Sequence, residues 1–528
     1  MKFKDITQKE LDALIKRVEE ALENDLALCA DDLRLLLSAI QTLATLQGKM
    51  DDDGMTLLKL KKLLGMVASS EKKRRGKGSR QNKKSTTKRN KLKKSDLPTE
   101  THTLTEHKKG DTCPQCPTET KGKLYKFQPL EFVRVTAHAP FEGKKHVVER
   151  LRCNLCNAIF TATVPDSVLE DGPVTQKYGY TARSAMAMDK FFSGQGYHHQ
   201  EILSQFSGLS ITASTIYDQV EALSDMVNPV YKHLLQMAAQ AEQFLLDDTS
   251  HKILNQEPEK RPNSNGKGER LRTGIYSSGV IARTKDQKEL VVFETSLGHA
   301  GELMRSLLDQ RDPSLPKPKV MSDALSSNSA YIDDANIGYC NSHARRNFAY
   351  LENKFPEEFE QVLEMYAPIW RNEHHIIEQG LNAQKRLEYH QKHSLPVMTS
   401  LKKWCVAKQT ASDFEEHSGL GKAIAYFLRH YDKLIAFCVF EGMPIDNNRM
   451  EETLKLVIRG RKSYMFFKTV SGATVGNICM TMIMTTYRAN VNPLDYLTAL
   501  QRHHTDMREN PELWMPWNYK KRIESLRS

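Results

Sequence analysis

The sequence predicts a multidomain α+β protein, in which mainly helical N-terminal regions precede an α/β core with a helical insertion. Its 528 residues suit three or four domains at about 150 residues each. Apolar side chains recur at helical spacing in residues 8–47 and 175–240, and short strand-like runs begin at residue 243. Two C-x-x-C pairs lie between the first helices and the core, and they indicate a separate small domain.

Residues 1–69 are predicted to form a helical N-terminal region, and Asp31 or Asp32 is placed to cap its second helix. Apolar residues at spacings of three and four mark its helices: Leu11, Ile15, Val18, Leu22, Leu57, Leu60 and Leu64. Two interpretations stay open, a helical hairpin that packs on the rest of the protein and a self-association coil. The heptad-like run is shorter than the three or four heptads that identify a coiled coil.

Residues 70–104 are predicted to be a basic, flexible linker. The net charge of the chain is +11, and residues 71–95 alone contain 13 Lys/Arg and one Glu, so the remainder is close to neutral. Such a segment is too charged and too poor in apolar groups to fold alone. It is either a solvated spacer or an arm that grips phosphates, because counter-ion release favours binding to DNA. The candidate phosphate contacts are Lys72, Lys73, Arg74, Arg75, Lys83 and Lys84.

Composition argues against a membrane-spanning chain and against a disulfide framework. The longest apolar-looking stretch, 424–440, is interrupted by charged side chains, so no transmembrane helix is expected. The N-terminal residues MKFKDITQKE contain no apolar signal region. Nine cysteines is an odd number, and five of them are scattered singly. This usage is typical of a reducing compartment and of one metal site.

Residues 105–165 are predicted to be a zinc-ribbon domain. The four thiolates of Cys113, Cys116, Cys153 and Cys156 can close a tetrahedral site, which would make the Zn²⁺ structural. The 36 residues between the pairs leave room for a hairpin, and Val133, Val135 and Ala137 alternate as a strand does. A redox dithiol is the alternative.

Residues 166–240 are predicted to be a helical, helix-turn-helix-like DNA-binding region. The segment 200–208 ends in Gly208, and the next helix follows a stretch rich in Ser and Thr. Many helical hairpins share this pattern, so plain helix packing is an equal alternative.

Residues 241–349 are predicted to be the first part of the core. Three strand-like runs, at 244–248, 274–281 and 290–294, are followed by a helix and by a fourth run at 319–323. Carboxylates end the first and fourth runs, at Asp247 and Asp323. In a ribonuclease-H-like fold these two strands are neighbours, which would bring the two acids together.

A third carboxylate is expected in the last part of the core, residues 441–500. Met450, Leu454 and Val457 form a buried helical stripe, and Glu451 lies at its rim, where it can reach a metal. Hard Mg²⁺ takes oxygen ligands, so three carboxylates suffice. The interval 350–440 is predicted to be a helical insertion, with His374 and His375 at its surface or rim, and 501–528 a C-terminal tail.

In these motifs the chain resembles transposases of the insertion-sequence-66 family, which have an acidic-triad, ribonuclease-H-like core. The shared stretches follow the family's order over nearly the full length: Ser69-Ser-Glu-Lys72, the paired C-x-x-C motifs, Asp247-Asp-Thr249, Cys340-Asn-Ser-His-Ala-Arg-Arg-Asn-Phe348, Ile445-Asp-Asn-Asn-Arg-Met-Glu451, Gly460-Arg-Lys-Ser-Tyr-Met-Phe466 and Asn492-Pro-Leu-Asp-Tyr-Leu497. Asn341 stands where the family has Trp, and Glu452 where it has a basic residue.

The resemblance implies a DNA transposase that cleaves the ends of an insertion sequence and joins them to target DNA. Asp247, Asp323 and Glu451 would hold Mg²⁺ or Mn²⁺, and motif register favours Glu451 over Glu452. Basic residues near these acids would neutralise phosphates: Arg345, Arg346, Arg449, Lys455, Arg461 and Lys462. The expected partners are double-stranded DNA, further copies of the chain and accessory proteins of the same element, in a bacterial cytoplasm at the nucleoid. A DNA-binding repressor without chemistry and a nuclease that cannot join are the alternatives.

Overall fold

A computed structural model describes residues 8–24, 26–36, 123, 141–152, 159–262, 268–329, 332, 334–411 and 414–527. It divides the chain into two compact units, Met1–Val135 and Thr136–Ser528. The helix predicted around Leu57–Leu64, the basic strip 71–95, the strand predicted at 133–137 and all four ribbon cysteines lie outside the described residues. Those expectations therefore stay predictions.

The first unit contains two helical segments in its described part. Helix α1 covers Gln8–Glu23, and residues 30–36 are also helical. Arg17 of α1 donates to both carboxylate oxygens of Asp32, at 3.1 and 2.8 Å, which joins the two segments. The second helix begins before Asp31, so the prediction that Asp31 or Asp32 is its N-cap is wrong. Asp32 instead holds the arginine of the preceding helix.

The second unit begins with a short hairpin on either side of the second C-x-x-C pair. Strand β1, Arg150–Arg152, runs antiparallel to β2, Ile159–Thr161, and Leu151 is opposite Phe160. A single helical turn follows at Asp166–Leu169. Leu151 lies in a strand, whereas Val147 lies outside regular structure.

Three helices follow: α2 (Tyr180–Met188), α3 (Tyr197–Phe206) and α4 (Ala213–Ala239). The helix, glycine turn and second helix predicted from the sequence are confirmed. Gly208 has φ +74°, which only glycine adopts readily, and the Thr212 side chain caps α4 by accepting from the Thr215 amide. Val220, Leu223 and Val227 of α4 are almost wholly buried, so this helix belongs to the core.

A five-stranded mixed sheet forms the centre of the second unit. Its strands are β3 (Gln243–His251), β6 (Ile275–Arg283), β7 (Glu289–Ser296), β8 (Lys319–Ser322) and β9 (Asn336–Tyr339), and they lie in the order β7-β6-β3-β8-β9. The first three are antiparallel neighbours, and β8 and β9 are added parallel to β3. Between β3 and β6 along the chain, β4 (Glu259–Pro262) and β5 (Glu269–Arg272) form a separate antiparallel pair. Neither this pair nor β9 was predicted from the sequence. Helix α5 covers Ala300–Leu308, and a single helical turn covers Ser326–Ser329.

The helical insertion and the segments after it complete the unit. After α6 (Asn341–Ala349) come four helices of the insertion: α7 (Pro356–Glu378), α8 (Ala383–His393), α9 (Leu395–Ala411) and α10 (Gly419–Leu434). The remaining helices are α11 (Asn448–Tyr464), α12 (Val470–Arg488), α13 (Pro493–Arg502), α14 (His504–Glu509) and α15 (Tyr519–Arg527). The helical prediction for 350–440 is confirmed, and His374 and His375 are exposed as predicted.

Helix α12 protects the edge strand β7. Strand edges carry unpaired amides, which native proteins cover to prevent association. Thr485, Thr481 and Asn477 are spaced by four residues on one side of α12, and each accepts from a β7 amide at 3.0 Å. The donors are the amides of Val291, Phe293 and Thr295, every second residue of the strand. Every fourth residue of α12 thus meets every second residue of β7.

Candidate active site

The two parallel strands β3 and β8 bring Asp247 and Asp323 to one edge of the sheet. The parallel register pairs Phe244 with Val320 and Leu245 with Met321. Asp247 lies two residues after Leu245 within β3, and Asp323 lies two residues after Met321, directly after β8 ends. Neighbouring strands lie about 4.8 Å apart. Asp323 is fixed in place by accepting from the Asn328 side chain at 2.9 Å and the Leu325 amide at 3.2 Å. The predicted adjacency of the first and fourth strands is confirmed.

Successive side chains of a strand point to opposite faces of the sheet, so Asp247 and its neighbour Asp248 have different surroundings. The carboxylate of Asp248 accepts from the amide of Ala300 at 3.3 Å and lies 2.8 Å from Nδ1 of His299. It therefore caps the start of α5. Asp247 accepts from the Asp248 amide at 2.8 Å and has no cationic partner among the described residues. Of the two acids, Asp247 is the one without such a partner among the described residues.

Helix α11 is anchored so that Glu451 meets the same edge. Asn447 is fully buried, and its side-chain amide donates to the carbonyl of Leu246 at 3.0 Å, directly before Asp247. Buried Asn341 donates to the carbonyl of Ile445 at 3.0 Å, which fixes the approach to this helix. Glu451 follows Asn447 by one turn, and its own amide donates to the Asn447 carbonyl at 3.1 Å. The amide side chains thus set the position of the third acid.

Glu451 and Glu452 face different surroundings. Glu451 lies 3.2 Å from Arg346 and 3.5 Å from Nδ1 of His343, both on α6. Glu452 pairs at 3.6 Å with Arg488, and its side chain is 68% exposed. Glu451 is therefore the residue of the pair that points to the predicted site, in agreement with the motif register.

The surroundings of Asp247 disfavour its charged form. Burial and the charge of Asp323 raise the pKa of Asp247 from 3.8 to about 7, and the charges of Asp248 and Glu451 add to this effect. The hydrogen bond from the Asp248 amide opposes the rise in pKa. Like charges held together without a counter-ion favour the protonated form. A divalent cation would relieve this repulsion.

The raised pKa of Asp247 predicts a specific pH dependence for the protein without added divalent cations. Protonated Asp247 stabilises the folded state below its ordinary pKa of 3.8, and this contribution is lost as the pH rises through about 7. The side chain of Asp247→Asn cannot ionise, so this variant should not lose stability over that pH range. At pH 8 its free energy of unfolding should exceed that of wild type by about 1–3 kcal/mol. Urea denaturation across this pH range measures the effect, with Glu452→Gln as the exposed control. Equal pH slopes for wild type and Asp247→Asn would contradict the prediction.

The basic candidates occupy different positions around this edge. Arg346 contacts Glu451, and the guanidinium of Arg345 lies 5.7 Å from the centre of the Trp370 ring. Arg461 donates to Thr249 at 3.2 Å and to the Ser250 hydroxyl at 2.8 Å, at the end of β3. Lys455 and Lys462 are exposed on α11.

Arg449 pairs with Glu289 and not with one of the three candidate metal ligands. It donates twice to one oxygen of Glu289, at 2.9 and 2.7 Å, and the Glu289 side chain is only 7% exposed. Arg283 contacts the other oxygen of Glu289 at 2.7 Å. Since Arg283 pairs with Gln243 at the start of β3, this cluster lies four residues before Asp247 along the strand. The expected phosphate contact by Arg449 near the metals is not supported by this arrangement.

The donor set fits hard divalent cations. Carboxylate oxygens are the ligands that Mg²⁺ and Mn²⁺ prefer. Oε1 of Glu451 and Oδ1 of Asn447 are both buried without a hydrogen-bond partner, so oxygen acceptors are free at this edge. Asp247, Asp323 and Glu451 would hold such ions.

Sequence reasoning missed several residues that build the site. The side chain of Asn447 joins α11 to β3, and the backbone amide of Asn447 donates to the Cys340 sulfur at 3.2 Å. Asp446 accepts from Ser342 at 3.1 Å and from the Trp370 indole at 3.2 Å, which links the loop before α11 to α6 and α7. The cluster of polar residues 446–448 before an apolar helical stripe was the available signal.

The five-stranded mixed sheet carries three carboxylates near Arg346 and Arg461, and such a group of charges can bind divalent cations and phosphate groups. Comparison with known proteins gives a family. The family described as "Transposase IS66 family" matches residues 177–475, more than half of the chain. The chain belongs to this family of transposases.

Two relatives come from Sinorhizobium fredii (strain NBRC 101917 / NGR234). "Uncharacterized protein y4jD" is 29% identical over 190 residues, which are 35% of this chain and 36% of that protein. "Uncharacterized protein y4hP" is 22% identical over 408 residues, which are 72% of this chain and 69% of that protein. The chain thus spans about a third of the length of the first relative and about two thirds of the second.

Among the described residues, no helix is long and apolar enough to cross a membrane.

Proposed function

We propose that the chain is a DNA transposase that binds the ends of an insertion sequence, cleaves them and joins them to target DNA. The observation that carries this proposal is the meeting of Asp247, Asp323 and Glu451 at one sheet edge, in a chain of the IS66 transposase family. Three antiparallel strands extended by two parallel ones, with the first acid on the central strand, are the features of a ribonuclease-H-like core.

The reaction requires two phosphoryl transfers. In the first, water attacks a phosphodiester at the element end and leaves a 3′-OH. In the second, that 3′-OH attacks a target phosphodiester, forms a new bond to its phosphorus and releases the target strand's own 3′-OH. Divalent cations held by the carboxylates would supply activation of the nucleophile and stabilisation of the leaving oxygen.

Two arginines hold the protein groups around the proposed site. Arg346 fixes the Glu451 carboxylate at 3.2 Å, and Arg461 fixes the end of β3 next to Asp247. A guanidinium beside a reacting phosphate neutralises charge, so both residues are positioned to approach the DNA backbone. The strip 71–95, with its 13 Lys/Arg, and a zinc ribbon at Cys113, Cys116, Cys153 and Cys156 would add phosphate contacts before the core.

DNA reading by α3 and α4 remains part of the proposal, and the structure adds a constraint to it. The exposed side of the first half of α4 carries Asp218 and Asp225, and no Lys or Arg precedes Lys232 in this helix. Acidic side chains disfavour close approach to phosphates. Any contact of α4 with DNA is therefore expected from its Ser/Thr-rich start. Synapsis of two ends would require at least two copies of the chain, acting at nucleoid DNA in the cytoplasm, with accessory proteins of the same element.

The test is a joining assay with the full-length chain. The DNA that flanks the gene supplies the candidate inverted repeats, and oligonucleotides with pre-cut 3′-OH ends are incubated with a target plasmid and Mg²⁺. We expect Mg²⁺-dependent joining of these ends and nicking of uncut ends. Nicking without joining would identify a nuclease, and binding without either reaction would identify a repressor.

A further inference from the structure

A cluster that includes Glu451 offers metal ligands of a second kind. The sulfur of Cys340, one imidazole nitrogen of His343 and one oxygen of Glu451 all lie within 4.8 Å of one another. Only Glu451 belongs to the proposed carboxylate set. The cluster therefore shares one residue with that set and adds two softer donors to it.

The fold brings these donors together through two helix starts. Cys340 is the N-cap of α6, and His343 follows it by three residues, so both face the same side of the first turn. Glu451 comes from the first turn of α11, which Asn447 holds against both β3 and the thiol. A Cys-x-x-His pair on one helical turn has the spacing of half a zinc site.

Two polar atoms of this cluster lack hydrogen-bond partners. Nδ1 of His343 and Oε1 of Glu451 are buried and make no hydrogen bond. They lie 3.5 Å apart, close enough for an ion pair but outside hydrogen-bond geometry. Buried polar atoms normally have a partner, and a bound cation is one explanation for an orphaned pair. Cys340 itself is fully buried, and its sulfur accepts from the Asn447 amide at 3.2 Å.

The donor chemistry selects the kind of cation. Mg²⁺ requires oxygen ligands and octahedral geometry, so a thiol and an imidazole do not suit it. Zn²⁺ accepts sulfur, nitrogen and carboxylate oxygen, and sites with three protein ligands keep a fourth position open. The amide that donates to the Cys340 sulfur would support a metal-bound thiolate, as outer-shell hydrogen bonds do at metal sites.

We propose that Cys340, His343 and Glu451 bind one Zn²⁺ ion, with the thiol proton released to solvent. The ion would engage Glu451 and withdraw it from the Mg²⁺ set. Zinc bound here would thus hold the enzyme inactive, a consequence that rests on the proposed transposase function, whereas the binding itself does not.

The binding is tested on the full-length chain with Co²⁺ as a spectroscopic substitute for Zn²⁺. Wild type and Cys340→Ser are titrated, and thiolate-to-cobalt absorption and the number of bound ions are compared. Cys405→Ser is the matched control, because Cys405 is also buried but belongs to no Cys, His and carboxylate cluster in the described part of the chain. We expect Cys340→Ser to bind one ion fewer per chain and Cys405→Ser to bind as wild type does.

A second variant protects this test against misfolding of Cys340→Ser. His343→Gln changes a side chain that is 28% exposed, so it should fold, and it should lose the same ion. Equal metal content and equal absorption in wild type and His343→Gln would overturn the site.

The inhibition is tested separately by Zn²⁺ titration of Mg²⁺-dependent nicking. Half-inhibition should require about tenfold or more Zn²⁺ for His343→Gln than for wild type. Loss of the ion without a change in inhibition would overturn the inhibitory role. If no variant and no wild-type protein nicks DNA, the proposed function fails while the cobalt titration still decides the zinc site.

Discussion

Glu451→Gln is expected to abolish Mg²⁺-dependent cleavage and joining, whereas Glu452→Gln beside it should leave both reactions intact. The two carboxylates differ by one residue, but only Glu451 faces Asp247, and its charge contributes to the raised pKa of that residue. The Glu452 side chain is 68% exposed and pairs with Arg488. Because the chemical change is the same in both variants, a difference in activity between them reports the position of the carboxylate.

The expected effect is large because a neutral amide cannot replace a carboxylate as an anionic ligand. Metal-ion stabilisation of phosphoryl transfer is worth several kcal/mol, so its loss should lower the rate by about 10³-fold or more. Nicking and joining of end-containing DNA in Mg²⁺ measure this rate. Binding of the same DNA in Ca²⁺ should be retained, because the candidate phosphate contacts of the basic strip are unchanged.

Asp247→Asn and Asp323→Asn should behave like Glu451→Gln, because all three acids share one set of ions in the proposal. The unfolding midpoint of each variant reports whether the fold survives, which matters for Glu451 because Arg346 loses its anionic partner. Strand transfer at the wild-type rate by the Glu451→Gln protein would remove this residue from the catalytic set. Equal loss in Glu452→Gln would assign the effect to the helix and not to the site.

The positions of the three candidate acids in strands and a helix were predictable because their signals are local. Asp247 and Asp323 each end a short apolar run, and a strand that is buried on both faces reads as such a run. Glu451 stands beside the apolar stripe of α11, and helical periodicity places it at the rim. Such patterns depend on residues only a few positions apart, so one sequence suffices to find them.

The contacts that hold α11 against the sheet were not predictable, because they come from distant parts of the chain. Glu289 neutralises Arg449 across 160 residues of sequence, and Asn447 reaches Leu246 across 201. No spacing rule links such pairs.

The strand β9 was missed for a different reason: the four residues Asn336–Tyr339 are too few and too mixed in polarity to show an alternating pattern.

The segment 501–528 was predicted to be a tail, and the structure corrects this. It contains α14 and α15 and a helical turn at Pro511–Trp514 whose tryptophan is fully buried. The indole of Trp514 donates to Asp506 at 2.7 Å, and the Tyr496 hydroxyl donates to the Trp514 carbonyl at 2.7 Å. The prediction failed because the segment is rich in charge, and its few apolar residues follow no helical or strand period.

Trp514→Ala is accordingly expected to destabilise the second unit strongly. Truncation of a buried aromatic side chain costs about 3–5 kcal/mol. For a unit of this size the unfolding midpoint should fall by roughly 4–6 °C. The variant would also leave the Asp506 carboxylate without the indole, although Arg522 still donates to it at 2.9 Å. Thermal denaturation of the full-length chain, followed by circular dichroism, measures the shift.

Trp517→Ala is the matched control, since the same side chain is removed three positions later. Trp517 is only partly buried and lies under the ammonium of Lys288, 4.8 Å from the ring centre. An exposed cation–π contact is worth about 0.5–1 kcal/mol, so this change should shift the midpoint far less. A tail that hung free of the fold would make the two variants equal. A large difference between them would instead show that α4, on which the Pro511–Trp514 turn packs, needs the C-terminal segment to complete its buried face.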